Sequence, residues 1–118
     1  MYRYMSSFTI FHNPRCSKSR QTLALLEAQG IQPKIVEYLQ TPLSKAEIKE
    51  LVGKLGCNPS EILRSKEAIL QEMTLDFSDE EAIIAAMVKH PILIERPIVV
   101  HGDKAVVGRP PENIKELF

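Results

Sequence analysis

Cys16 is preceded by His12-Asn13-Pro14-Arg15 and followed by Ser17-Lys18-Ser19-Arg20. The reactive form of cysteine is the thiolate, and nearby cations and helix N-termini both favour it. Asn13-Pro14 is a turn signal. A helical pattern begins at Ser17, so Cys16 falls at the mouth of a helix. The first amides of a helix have no internal partner, and the helix dipole places partial positive charge there. Arg15, Lys18 and Arg20 add charge of the same sign, and His12 lies on the same loop. These surroundings predict a Cys16 pKa drawn down from ~8.5 to neutrality or below. The plainer reading, a small apolar residue at a helix start, sits poorly with three cations around it.

Cys16-Ser17-Lys18-Ser19 lacks the second cysteine of a dithiol motif, so the cycle of a thioredoxin is closed to it. It is not the loop of the thiol phosphatases either, because Thr22 stands where that loop needs arginine. Its partner thiol comes from outside or from Cys57. Cys57 follows Gly56 at a predicted helix end, with Lys54 as its nearest cation in sequence, and reads as an incidental thiol.

Arg64, Arg96 and Arg109 form a second set, two of them as Arg96-Pro97 and Arg109-Pro110. A guanidinium presents a planar fork of donors suited to tetrahedral oxyanions. From spacing alone, three arginines so far apart read as solvated surface residues. Pro97, just ahead of a strand, is a candidate for a cis-proline in a tight turn.

The elements that position these residues follow from patterning. Residues 7–11 are β-branched and aromatic and predict a strand. Residues 17–29 predict a helix stopped by Gly30, and residues 33–38 a second strand. Ser44 with Glu47 is a capping box. Ile48, Leu51, Val52 and Leu55 then mark one face of an amphipathic helix ending at Gly56. A short helical piece begins at residues 58–60 and runs to Arg64, and residues 66–73 read as helical. Ser78 with Glu81 is read as another capping box ahead of an apolar helix over residues 82–88, ended by His90-Pro91. Residues 98–100 and 105–107 flank His101-Gly102-Asp103-Lys104 as a β-hairpin, and Ile114, Leu117 and Phe118 suggest a last helix. A parallel βαβ start with an antiparallel hairpin added later predicts an α/β fold with a mixed sheet and helices packed on it.

At 118 residues the chain is read as one domain, 1–118, able to bury a core without disulfides or a structural metal. Fifteen basic residues balance fifteen acidic ones, which argues against nucleic acid or an anionic membrane as a bulk partner. The first residues lack the apolar core of a secretory signal, and no apolar run is long enough to span a bilayer. A cytoplasmic location with free thiols is the expectation. The three histidines, His12, His90 and His101, are scattered, and no zinc-ligand spacing occurs.

Taken together, these motifs resemble those of the glutaredoxin-coupled arsenate reductases. Residues 12–23, from His12-Asn13-Pro14-Arg15-Cys16 to Thr22-Leu23, resemble that family's active-site segment. Ile62-Leu63-Arg64 resembles its Leu-Leu-Arg. Residues 90–100, containing Glu95-Arg96-Pro97, nearly match its most specific block, and Gly108-Arg109-Pro110 resembles its third arginine site. Many members carry Gly-Thr after the cysteine, where this chain has Ser17-Lys18.

The resemblance implies a thioredoxin-like fold with a helical insertion and a cis bond before Pro97. It implies Cys16 as nucleophile, His12 as a group that helps keep Cys16 ionised, and Arg64, Arg96 and Arg109 as holders of the arsenate oxygens. It further implies reduction of arsenate to arsenite with glutathione and glutaredoxin as thiol partners, and neither a metal nor a bound organic cofactor. Two other readings stay open at this level. One is a polymerase-binding regulator of the Spx type, which shares the fold but carries a second cysteine where Ser19 stands here. The other is a glutathione-dependent reductase of a different substrate.

Overall fold

The computed structural model describes residues 8–64 and 66–118. They fall into two compact units, one built from Met1–Thr41 with Arg96–Phe118 and the other from Pro42–Glu95.

The first unit holds a four-stranded sheet in the order β2-β1-β3-β4. Strand β1 (Phe8–Phe11) leads through a loop into α1 (Ser17–Ala28) and back to β2 (Lys34–Val36), which lies parallel to β1. Gly30 turns the chain after α1 at φ +76°. On the other side of β1 lies β3 (Ile98–His101), antiparallel, followed by β4 (Lys104–Val107). His101 and Lys104 face each other across the two-residue turn Gly102-Asp103, with Gly102 at φ +65°, the conformation that such tight hairpins demand. The chain ends in a 3-10 helix over Pro111–Leu117. Phe8, Ile10, Leu26, Val99, Ile114 and Leu117 bury together, so α1 and the last helix close over the sheet. The Phe8 ring stacks on His101 at 3.9 Å.

The second unit is the expected helical insertion. Helix α2 (Lys45–Leu55) starts with the full Ser44–Glu47 capping box and stops at Gly56 in the left-handed region. A 3-10 turn over Pro59–Ile62 follows, then α3 (Ala68–Gln71), α4 (Glu80–Lys89) and a 3-10 turn over Pro91–Leu93. Leu63 and Ile94 pair as a single antiparallel bridge. Ile48, Leu51, Ile62, Ile83, Met87 and Leu93 are all buried. Lys45 and Lys49 both reach Glu81, at 2.8 and 3.1 Å. These side chains are mostly exposed, so solvent screens both pairs and they add little to stability.

The architecture is therefore thioredoxin-like, a mixed sheet with a helical insertion, as the sequence predicts. Several local expectations need correction. Asp79, not Ser78, caps α4, its carboxylate accepting the Ala82 N–H at 3.1 Å. Ser78 instead donates both its N–H and its hydroxyl to Asp76 Oδ1. The helix over 66–73 shrinks to a single turn, and β2 to three residues. The last helix is 3-10, as suits a segment begun by Pro110-Pro111. Ser7, read as the start of β1, lies outside the described residues.

Candidate active site

The loop between β1 and α1 is held by its own backbone. His12 N–H donates to Val36 O of β2 at 2.9 Å, and Cys16 N–H donates to Asn13 O at 3.0 Å. The Asn13 side chain accepts from Arg15 N–H at 3.0 Å, an Asx turn, and Arg20 Nη1 ties back to Pro14 O at 2.9 Å. This fixes Cys16 as the N-cap of α1, in extended geometry at φ −93°, ψ 124°. The side chain is 8% exposed.

Partial burial pushes the Cys16 thiol pKa up, but it is overridden. The Ser19 backbone N–H, the facing Arg96 side chain and the Lys18 backbone N–H pull it down, and the net direction is down. No first-turn amide closes a complete capping bond to the sulfur, so these amides act as directed partial charges. Arg109 Nη2 lies 3.5 Å from Cys16 Sγ. The sequence assigned this task to the first amides of the helix, with the loop cations Arg15, Lys18 and Arg20 adding to them. The structure keeps the amides, of Ser19 and Lys18, and brings in Arg96 from the far end of the chain as a cation that acts on the sulfur. Arg20 does act on His12, whose pKa it helps to lower.

Arg96 and Arg109 reach the sulfur from the two ends of the β3–β4 hairpin. Arg109 Nε donates to Arg96 O at 2.7 Å, which locks the two together. Gly108 makes this approach possible. A Cβ there would lie 2.7 Å from Thr22 Oγ1 and 3.0 Å from Pro97 Cγ. Thr22, buried on α1, donates its hydroxyl to Lys18 O at 2.8 Å, and Gly108 N–H donates to Pro97 O at 2.8 Å. The bond before Pro97 is cis, and so is that before Pro110, which the sequence reading did not foresee. Nε and Nη1 of Arg96 are buried and bond to no described residue. Buried donors left in that state cost about 1–3 kcal/mol each. An anion beside the thiol would satisfy them.

His12 lies on the Cys16 loop but is bonded elsewhere. Its Nδ1 is 2.6 Å from Ser19 Oγ, and Ser19 Oγ accepts the Asn13 N–H at 3.0 Å. The hydroxyl has one proton to give and two lone pairs, so the direction of the His12–Ser19 bond follows the imidazole tautomer. Burial lowers the His12 pKa, Glu37 opposes it, Arg20 adds to it, and the net direction is down. A neutral His12 thus orders the loop through Ser19, the residue whose amide faces the sulfur. Ser19 was noted in the sequence only for not being cysteine. Its seven-residue separation from His12 carries no local signal.

Arg64 belongs to the other unit, where two of its guanidinium nitrogens are bonded. Its Nε meets Glu67 Oε2 at 2.9 Å and its Nη1 meets Glu95 Oε1 at 3.0 Å. Burial alone would lower its pKa, but the two carboxylates raise it. The sequence reading singled out neither partner: Glu67 is close in sequence but shares no helix with Arg64, and Glu95 is far off. Cys57 also lies in this unit, its thiol pushed up by burial and by Glu61. Among the described residues no cluster of three or more His, Cys, Asp or Glu is arranged to hold a metal, and no helix is long and apolar enough to cross a membrane.

What the arrangement can do is hold a thiolate beside donors that await an oxyanion. Known proteins resemble this chain in sequence and fold. The profile of the ArsC family matches residues 11–117. The arsenate reductase of Haemophilus influenzae is 46% identical over 115 residues, covering 95% of this chain and 99% of that one. The Escherichia coli (strain K12) protein YfgD, described as uncharacterised, is 50% identical over 111 residues, covering 92% and 93%. Among solved structures, an arsenate reductase from Vibrio cholerae superposes with a TM-score of 0.90 at 47% identity, covering 96% of this chain and 98% of that one.

Proposed function

This chain belongs to the ArsC family, and from that premise we propose that it reduces arsenate to arsenite with Cys16 as the nucleophile. The observation that carries the reading is the corner where Arg109 Nη2 lies 3.5 Å from Cys16 Sγ and the buried donors of Arg96 stand unmet. Arsenate is a tetrahedral oxyanion that repels a thiolate, so its charge has to be neutralised before attack. Guanidinium groups set in advance beside the sulfur supply that neutralisation.

The chemistry runs as follows. Cys16 Sγ forms a bond to As(V), and one arsenate oxygen leaves as water. Glutathione adds through its sulfur, and a second water leaves. A glutaredoxin thiolate then attacks the glutathione sulfur and forms a mixed disulfide. The electron pair of the broken S–As bond stays on arsenic, which becomes As(III). Hydrolysis of the remaining Cys16–arsenic bond releases arsenite and restores the thiol. The two electrons come from the glutathione and glutaredoxin sulfurs. Arg96 and Arg109 hold the oxygens in this scheme, and His12 supports the loop; Arg64, whose Nε and Nη1 are already on Glu67 and Glu95, is given no place in it. A reducing cytoplasm, where such thiols persist, is the fitting compartment.

A steady-state assay with arsenate, glutathione and glutaredoxin tests it. The wild-type protein turns over, and Cys16→Ser falls to background, a loss on the order of 10³-fold or more. Full turnover by the Cys16→Ser protein would falsify the mechanism.

A further inference from the structure

The nucleophile needs a second thiol, and the chain offers none poised for the task. Ser19 occupies the place of a resolving cysteine and is bonded to His12. Cys57 has its pKa raised, which keeps it a thiol. The thiol must therefore arrive from solution and be held near Cys16.

A cavity of about 240 Å³ opens against the Cys16 loop, lined by His12, Asn13, Arg15, Glu37, Leu39 and Gln40. It sits on the β2 side of β1, whereas Arg96 and Arg109 come from the β3–β4 side. A molecule bound there leaves the oxyanion donors free. Its lining carries one cation and one anion. Arg15 and Glu37 are both exposed, and neither forms an ion pair with the other or with any described residue. Charges of opposite sign beside one cavity, neither in an ion pair, suit a ligand that itself carries both, although Glu37 also acts on His12 at the same wall. Gln40 adds an amide able to donate and accept, and Leu39, 39% exposed, an apolar wall.

We propose that this cavity is the binding site for the thiol co-substrate, a small zwitterionic peptide thiol of the glutathione type. The proposal rests on the reductase reading above. Arg15 takes a terminal carboxylate with its forked donors, Glu37 takes the α-ammonium, and Gln40 pairs with a peptide unit. Residues 12–15 of the lining belong to the loop that carries Cys16, so a ligand anchored there lies beside the segment that holds the nucleophile. No bond is made or broken in this binding step.

The test uses S-methylglutathione, which binds without reacting, titrated into the whole protein and followed by amide chemical shifts. The expected result is shifts centred on residues 12–15 and 37–40. Arg15→Ala and Glu37→Gln should each weaken binding by roughly threefold to fivefold, the range of a partly exposed ion pair. Unchanged thermal midpoints will show that both variants fold. Shifts confined elsewhere, an affinity unmoved in both variants, or no binding at all overturns the proposal. Arsenate turnover by the wild-type protein is measured separately. Its absence sinks the reductase reading, while the titration still decides the cavity.

Discussion

The two arginine environments differ in what surrounds an identical side chain. Arg96, at the entry to the β3–β4 hairpin, keeps buried Nε and Nη1 atoms with no described partner and lies beside a cysteine whose pKa it helps to lower. Arg64, in the helical insertion, has Nε and Nη1 on two carboxylates at 2.9 and 3.0 Å. The first keeps two buried donors unmet. The second already bonds two carboxylates. One guanidinium is set to receive an anion, while the other already has two. Residue type therefore does not by itself mark an oxyanion ligand; what has already claimed the donors decides.

The sharpest way to break this contrast is Arg96→Ala. Removing the buried, unmet donors of Arg96 should cost about 10²-fold in kcat/KM for arsenate. The same variant should raise the pH at which Cys16 becomes reactive, because Arg96 is among the groups that pull its pKa down. A loss smaller than about threefold would place the anion elsewhere.

Glu67→Gln makes a smaller change and points the other way. It removes one of the two negative charges on Arg64 while keeping an acceptor for Nε. If Arg64 serves the oxyanion, KM for arsenate should fall by roughly twofold to fivefold. A rise would mean that Glu67 serves mainly to orient the guanidinium.

The elements were legible where local chemistry sets them. The Ser44–Glu47 box, Gly56 and the Gly102-Asp103 hairpin turn stand where the pattern put them. Ser78 misled because two acceptors, Asp76 and Asp79, compete in one short stretch, and the capping geometry went to Asp79. In the site, Cys16, Arg96 and Arg109 were legible as candidates, and the fold brings all three together. What lay hidden was every interaction made at long range. Ser19 beneath His12, Gly108 against Thr22 and Glu95 on Arg64 join residues with no local pattern between them. The sequence credited loop cations with activating the sulfur because they are its neighbours in the chain. The fold supplies closer ones.

Alkylation by iodoacetamide as a function of pH, followed at each cysteine by peptide mass spectrometry, reads the ionisation directly. Cys57, pushed up by burial and Glu61, serves as the control within the same molecule. The prediction is a Cys16 midpoint below that of a free thiol and a Cys57 midpoint above it. A Cys16 midpoint at or above that of Cys57 would contradict the view that this corner of the fold exists to hold a sulfur anion.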